Sequence, residues 1–268
     1  MSAFTVGERR IPRVVTRTII VGLLGLIIGS VGYWAVGAIR DRRETQRTTA
    51  EFDPPVWAGQ NPPGGCPGGF YARREQTIVL TISAHCATPG AALRDAAGKM
   101  IGVFGQRAVV DECPPDRLCQ ASDFLAMALV AERIPWGHLN VVDLGAGGYR
   151  TIESGTAPFG CGDVKLGDLA ETNGREHYRT GKVVANDPYD FSTDVIFPCM
   201  IRTGIQVHSG DSGGSVLVNG IPAGVMSRTF GETSGFTPLA EGLENLGLTL
   251  CTTPDCDLSP DTAVQPAG

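Results

Sequence analysis

No Cys-x2-Cys pair occurs anywhere in this 268-residue chain, and its four histidines, at positions 85, 138, 177 and 208, are scattered. Zinc sites draw their ligands from such closely spaced pairs, so the sequence calls for no metal and no other cofactor. A basic stripe with interleaved aromatics is missing as well, which argues against nucleic acid as a partner. No internal repeat is present. Charge is uneven: the first 50 residues carry about +5, which leaves roughly −11 for the remainder against a total of −6. That acidic remainder reads as a solubility feature of a globular region.

What the chain does contain begins with an apolar run. From Thr18 to Ile39 no charged residue occurs, and a stretch of roughly 20 such residues matches the hydrocarbon thickness of a bilayer. Arg9, Arg10, Arg13 and Arg17 precede it, which favours a cytoplasmic basic segment at 1–17 and a transmembrane helix at 18–39. The competing reading is a signal peptide cleaved after the small residues Val36-Gly37-Ala38, which would release a secreted protein. All eight cysteines follow this run. Their even number places them in an oxidising, extracytoplasmic compartment and predicts four disulfides among Cys66, Cys86, Cys113, Cys119, Cys161, Cys199, Cys251 and Cys256. Cys113 with Cys119 and Cys251 with Cys256 have the spacing of short clips, while the overall connectivity stays open.

Residues 40–65 are first polar and then rich in Pro and Gly, as a linker would be. A globular domain then spans 66–250. Short β-branched or aromatic runs punctuated by Gly, Pro, Asp and Asn fill it: Phe70 to Ala72, Thr77 to Ser83, Met100 to Phe104, Phe124 to Val130, Lys182 to Ala185, Ser215 to Val218 and Ile221 to Met226. This pattern predicts an all-β barrel or sandwich. One helical period appears near the end, with Leu239, Leu243 and Leu246 on one face between Pro238 and Leu246. Residues 251–268 read as a disulfide-clipped polar tail.

Two short motifs carry chemistry. Gly210-Asp211-Ser212-Gly213-Gly214 offers a hydroxyl framed by glycines, and Thr81-Ile82-Ser83-Ala84-His85-Cys86 offers an imidazole. A serine hydroxyl is a poor nucleophile at neutral pH, so a hydrolase needs a base beside it and backbone N–H donors where negative charge develops. Gly210, free of a Cβ, can turn its N–H with that of Ser212 toward one oxyanion.

With Cys66-Pro67-Gly68-Gly69-Phe70 ahead of the histidine motif and Gly210 to Ser215 behind, the chain resembles the chymotrypsin-fold serine proteases, nearest the bacterial streptogrisin and α-lytic type. The resemblance covers about 66–250. It implies two antiparallel six-stranded β-barrels, at about 66–145 and 156–240, with a short C-terminal helix. It also implies a triad in which Ser212 attacks the scissile carbonyl and His85 takes its proton. The family's chain order puts the acid between them at the head of an apolar strand, and Asp123 in Ser122-Asp123-Phe124-Leu125 fits best. The family further implies that Asp211 is buried beside a cation, and Val164-Lys165-Leu166-Gly167 resembles the stretch that carries it, which nominates Lys165.

The substrate pocket falls to Gln206, Val207, His208 and Ser209 on one side and to Gly224 and Met226 on the other. No aspartate stands at its floor, so a preference for Lys or Arg is not expected. His208 with Arg228 would favour an acidic side chain, or else serve as rim residues bonded to backbone or water. The function implied is a serine endopeptidase acting on proteins or peptides outside the cytoplasm. The alternatives are a catalytically inactive protease-like binding module and an esterase using the same triad.

Overall fold

The computed structural model describes residues 55–62, 65–109, 118–174, 177–190 and 195–258. Fourteen strands and one α-helix organise them. The first half supplies β1 (Gly68–Arg74), β2 (Thr77–Ser83), β3 (Ala92–Arg94), β4 (Met100–Val109), β5 (Leu118–Leu129), β6 (Val141–Asp143) and β7 (Tyr149–Thr151). In the second half come β8 (Leu169–Asn173), β9 (Tyr178–Asp190), β10 (Val195–Thr203), β11 (Ser215–Val218), β12 (Ile221–Phe230) and β13 (Thr233–Pro238). Helix α1 (Leu239–Asn245) and β14 (Thr249–Leu250) follow.

The second half closes on itself. Strand β8 pairs with β9 and β11, β12 pairs with β11 and β13, and β10 joins β9 to β13 through Ile201 opposite Phe236. Six strands therefore form a barrel without free edges. Val183, Ile201, Val216, Val218, Met226 and Phe236 fill its interior.

The first half does not mirror it. Strands β3, β4, β5, β2, β1 and β14 run as an open sheet, and β6 with β7 forms a separate ribbon attached by a bridge from Ala58 to Val142. Among the described residues only one six-stranded barrel is closed by strand pairing, where the sequence predicted two. At three residues each, β6 and β7 are too short to carry the ladder around. The core of this half gathers Phe70, Leu80, Ile82, Phe124, Leu125 and Met127 around Leu239 and Leu243 of α1. The helix terminates the second barrel in sequence and packs on the first sheet, one turn of leucines deep.

Both expected flanks turn out to belong to this core. Val56 and Ala58, read as linker, are 4% and 1% exposed, and Gly59 donates to Gly68. Cys251, Cys256 and Leu258, read as polar tail, are also buried, and Leu250 pairs with Ala72. An apolar residue every second or third position inside a Pro- and Gly-rich run is enough to dock it.

Disulfides join Cys66 to Cys86, Cys161 to Cys199 and Cys251 to Cys256. The expected clip between Cys113 and Cys119 lies outside the described residues and side chains, as do the basic segment and the apolar run at 18–39. Among the described residues no helix is long and apolar enough to cross a membrane.

Candidate active site

Strand register brings the first two groups together. β2 and β5 are antiparallel with Ser83 opposite Phe124, so the chain beyond Ser83 continues past Asp123. There it tightens into a single 3₁₀ turn, Ala84–Cys86, which lifts His85 over the carboxylate. The imidazole Nδ1 lies 2.6 Å from Asp123 Oδ2, and the His85 backbone N–H donates to Oδ1 at 3.2 Å. Asp123 is 2% exposed, and a buried carboxylate needs its lone pairs filled. Ser227 Oγ–H supplies a further donor to Oδ2 at 2.5 Å. The backbone N–H of Asp123 is held in turn by Thr237 Oγ1 at 2.9 Å. One donor set thus fixes the carboxylate and the carboxylate fixes the ring, whose side chain is 36% exposed.

The loop that carries Ser212 is shaped by two glycines in left-handed backbone, Gly210 at φ 98° and Gly213 at φ 94°. A Cβ on Gly213 would stand 2.3 Å from the Pro67 carbonyl oxygen, so the loop presses against the first half as closely as backbone allows. Gly213 N–H donates to Met226 at 2.7 Å and Gly214 N–H to Asp211 at 3.2 Å. The N–H groups of Gly210 and Ser212 take no backbone acceptor among the described residues. Cys86 Sγ lies 4.0 Å from the Ser212 carbonyl oxygen, which sets the histidine turn beside this loop. The Ser212 hydroxyl donates to the Ser227 carbonyl at 3.2 Å, and no hydrogen bond joins it to His85.

Asp211, 4% exposed, meets a cation from an unexpected place. Arg179 of β9 donates through Nη1 at 2.5 Å, and the His208 backbone N–H donates to the same oxygen at 2.7 Å. Gly174 makes room, since a Cβ there would stand 2.3 Å from the Asp211 carboxylate. Lys165 is not the residue in this position. It precedes β8 while Gly174 follows that strand, and five residues at 3.4 Å each separate the two ends by about 17 Å. Its N–H instead donates to Asp168 at 2.8 Å, and this bond, with a second from Asn219, holds the Asp168 carboxyl below its usual range.

The expected pocket residues divide. Val207 is buried, with its N–H on Ser234 Oγ at 3.1 Å, while Gln206 and Ser209 are exposed. His208 turns its ring to Arg179, Nδ1 to Nη2 at 2.9 Å. Gly224 and Met226 belong to the barrel interior: a Cβ at 224 would meet the Thr237 carbonyl at 2.2 Å, and Met226 is fully buried. Ser227, Thr237 and Arg179 were not singled out from the sequence for these contacts. Hydroxyls inside strands carry no local mark, and Arg179 reaches Asp211 across 32 positions.

No protein-family model and no curated protein matches the chain. Solved structures do. The chain is similar to the chymotrypsin of Cellulomonas bogoriensis, at 22% identity with a TM-score of 0.54, covering 74% of this chain and 99% of that one. Protease A of Thermobifida fusca gives 19% identity and 0.55, covering 74% and 98%. An α-lytic protease homologue, N4, gives 18% and 0.50, covering 71% and 98%. At these identities the likeness establishes the chymotrypsin-type fold.

Proposed function

We propose that the chain is a serine endopeptidase that cleaves peptide bonds through an acyl-enzyme. The observation that carries this reading is the buried Asp123 carboxylate bonded to His85 Nδ1 beside a glycine-framed Ser212. With Nδ1–H bound to the carboxylate, the other imidazole nitrogen bears the lone pair that a base requires. Rotation of the Ser212 side chain off the Ser227 carbonyl brings its hydroxyl toward that nitrogen. The oxygen then attacks the carbonyl carbon, the proton passes to His85, and the oxyanion forms against the Gly210 and Ser212 N–H groups. Proton return to the leaving amine breaks the C–N bond, and water repeats the sequence on the acyl ester. Asp123 stabilises the imidazolium and holds its tautomer throughout.

Names of the fold neighbours, a chymotrypsin and bacterial proteases, support peptide substrates. The three disulfides among the described residues support a domain that works outside the cytoplasm. The uncharged run from Thr18 to Ile39 supports either a membrane tether or a cleaved export signal.

A second reading, a protease-like binding module without turnover, draws on the Ser212 hydroxyl being bonded to Ser227 rather than to His85. Covalent labelling separates the two. A fluorophosphonate is expected to modify the full-length chain at Ser212 and to leave Ser212→Ala untouched; a wild type that stays unlabelled and cleaves no peptide in a library favours the binding module.

A further inference from the structure

The contact between Arg179 and His208 constrains the protonation of a histidine outside the triad. A guanidinium carries donors only and keeps its charge at any ordinary pH. Its Nη2 stands 2.9 Å from His208 Nδ1, so that nitrogen must accept, which requires a neutral imidazole with its proton on Nε2. The same guanidinium reaches Asp211 Oδ2 through Nη1 at 2.5 Å, and the His208 backbone N–H reaches that oxygen at 2.7 Å. Asp211, Arg179 and His208 therefore form a closed ring of three hydrogen bonds immediately before Ser212. Among the described residues two charged groups bond to His208: the Arg179 cation from β9 at the ring, and the Asp211 anion from its own loop at the backbone N–H.

We propose that His208 is a positioning residue for the nucleophile loop: as a neutral imidazole it holds Arg179 in the orientation that compensates Asp211, and its protonation releases that brace. An imidazolium has N–H at both ring nitrogens, so a second proton would set donor against donor and cation against cation. Arg179 would then keep one of its two anchors. The residues between, Ser209 and Gly210, would lose the restraint that aims the oxyanion donors. His208 thus acts through the loop and not by touching substrate. This inference rests on the serine-hydrolase reading above.

The test uses the full-length chain and the rate of its phosphonylation by a fluorophosphonate as a function of pH. In wild type protonation of His85 stops the reaction and protonation of His208 slows it at least tenfold, so the acid limb of log rate against pH is steeper than one. His208→Asn keeps an acceptor oxygen near the place of Nδ1 but does not titrate, so its limb has a slope of about one. His208→Ala lacks the acceptor and reacts about tenfold more slowly at neutral pH, as expected for one charge-assisted hydrogen bond, and the Asn variant recovers most of that loss. Wild-type speed in the Ala variant, or a wild-type acid slope in the Asn variant, overturns the proposal. So does an Ala variant that slows only with acidic substrates, which would make His208 a pocket residue. Nitrogen-detected NMR of histidine-labelled Ser212→Ala protein gives a readout independent of activity. The Nε2–H tautomer is expected for His208 at neutral pH, and an Nδ1–H tautomer or an imidazolium there refutes the contact itself. The expected tautomer in a wild type that never reacts removes the hydrolase reading and the positioning role with it.

Discussion

Asp123 depends on a hydroxyl outside the proposed triad as well as on His85. Its Oδ2 accepts from His85 and also from Ser227 Oγ at 2.5 Å, inside a region where water does not reach. Ser227→Ala deletes a donor to a buried anion while leaving the backbone carbonyl that meets Ser212 in place. A hydrogen bond to a charged group is worth about 1.5 to 3 kcal/mol, so the phosphonylation rate should fall at least tenfold at neutral pH. An unchanged rate in stopped-flow labelling would show that His85 alone satisfies the carboxylate. At this scale His85 and Ser212 were legible from two short motifs and Asp123 from the family's chain order, although Asp123 lies inside β5 rather than at its head. Arg179 was not legible, because its pairing is decided by how β9 meets the loop that carries Asp211. Lys165 drew the assignment by local resemblance of sequence, and distance along β8 rules it out.

Helix α1 acts on the site from behind. A Cβ on Gly242 would stand 2.1 Å from the Phe124 ring and 2.7 Å from Ser122 Cβ, the two neighbours of Asp123. Replacing glycine by alanine in a helix gains up to about 1 kcal/mol, whereas overpacking a full core costs about 1 to 3. With two contacts this short the second effect wins. Gly242→Ala should lower the thermal midpoint by several degrees and slow labelling as well, because the displaced ring drags the strand that carries the carboxylate. A stabilised variant in a melting experiment would mean that Phe124 has room to move. The sequence marked the strands β2 and β11 to the residue, since turn formers bracket their runs, and α1 to within one residue at each end. Strand β9 was legible only from Lys182 to Ala185, because Gly181, Asn186 and Pro188 interrupt it and its length comes from pairing on both sides in the closed barrel.

For the whole molecule, the decisive arrangement is that the site belongs to neither half. His85 and Asp123 come from the first sheet, Ser212 and Ser227 from the second half, and the two are joined by a parallel pairing of β5 with β10 and by side-chain bonds such as Ser83 Oγ to Met226 O at 2.9 Å and Ser215 Oγ to Gly69 O at 2.6 Å. The closed barrel completes its ring within the second half of the chain, through partners such as Val216 and Thr172 or Ile201 and Phe236. The first sheet must wait for α1 and for Leu250 to Leu258, which follow the barrel in the chain, before its core is full. Order of assembly follows from this. During refolding with disulfides intact, strand content seen by far-ultraviolet circular dichroism should return ahead of phosphonylation, because reactivity is regained only when the halves dock. Superimposed time courses would mean that both halves form in one step. On the proposed function, Ser212 then doubles as a clock for the last event of folding, and a newly made chain would stay chemically silent toward its surroundings until α1 and the segment up to Leu258 had been packed into place.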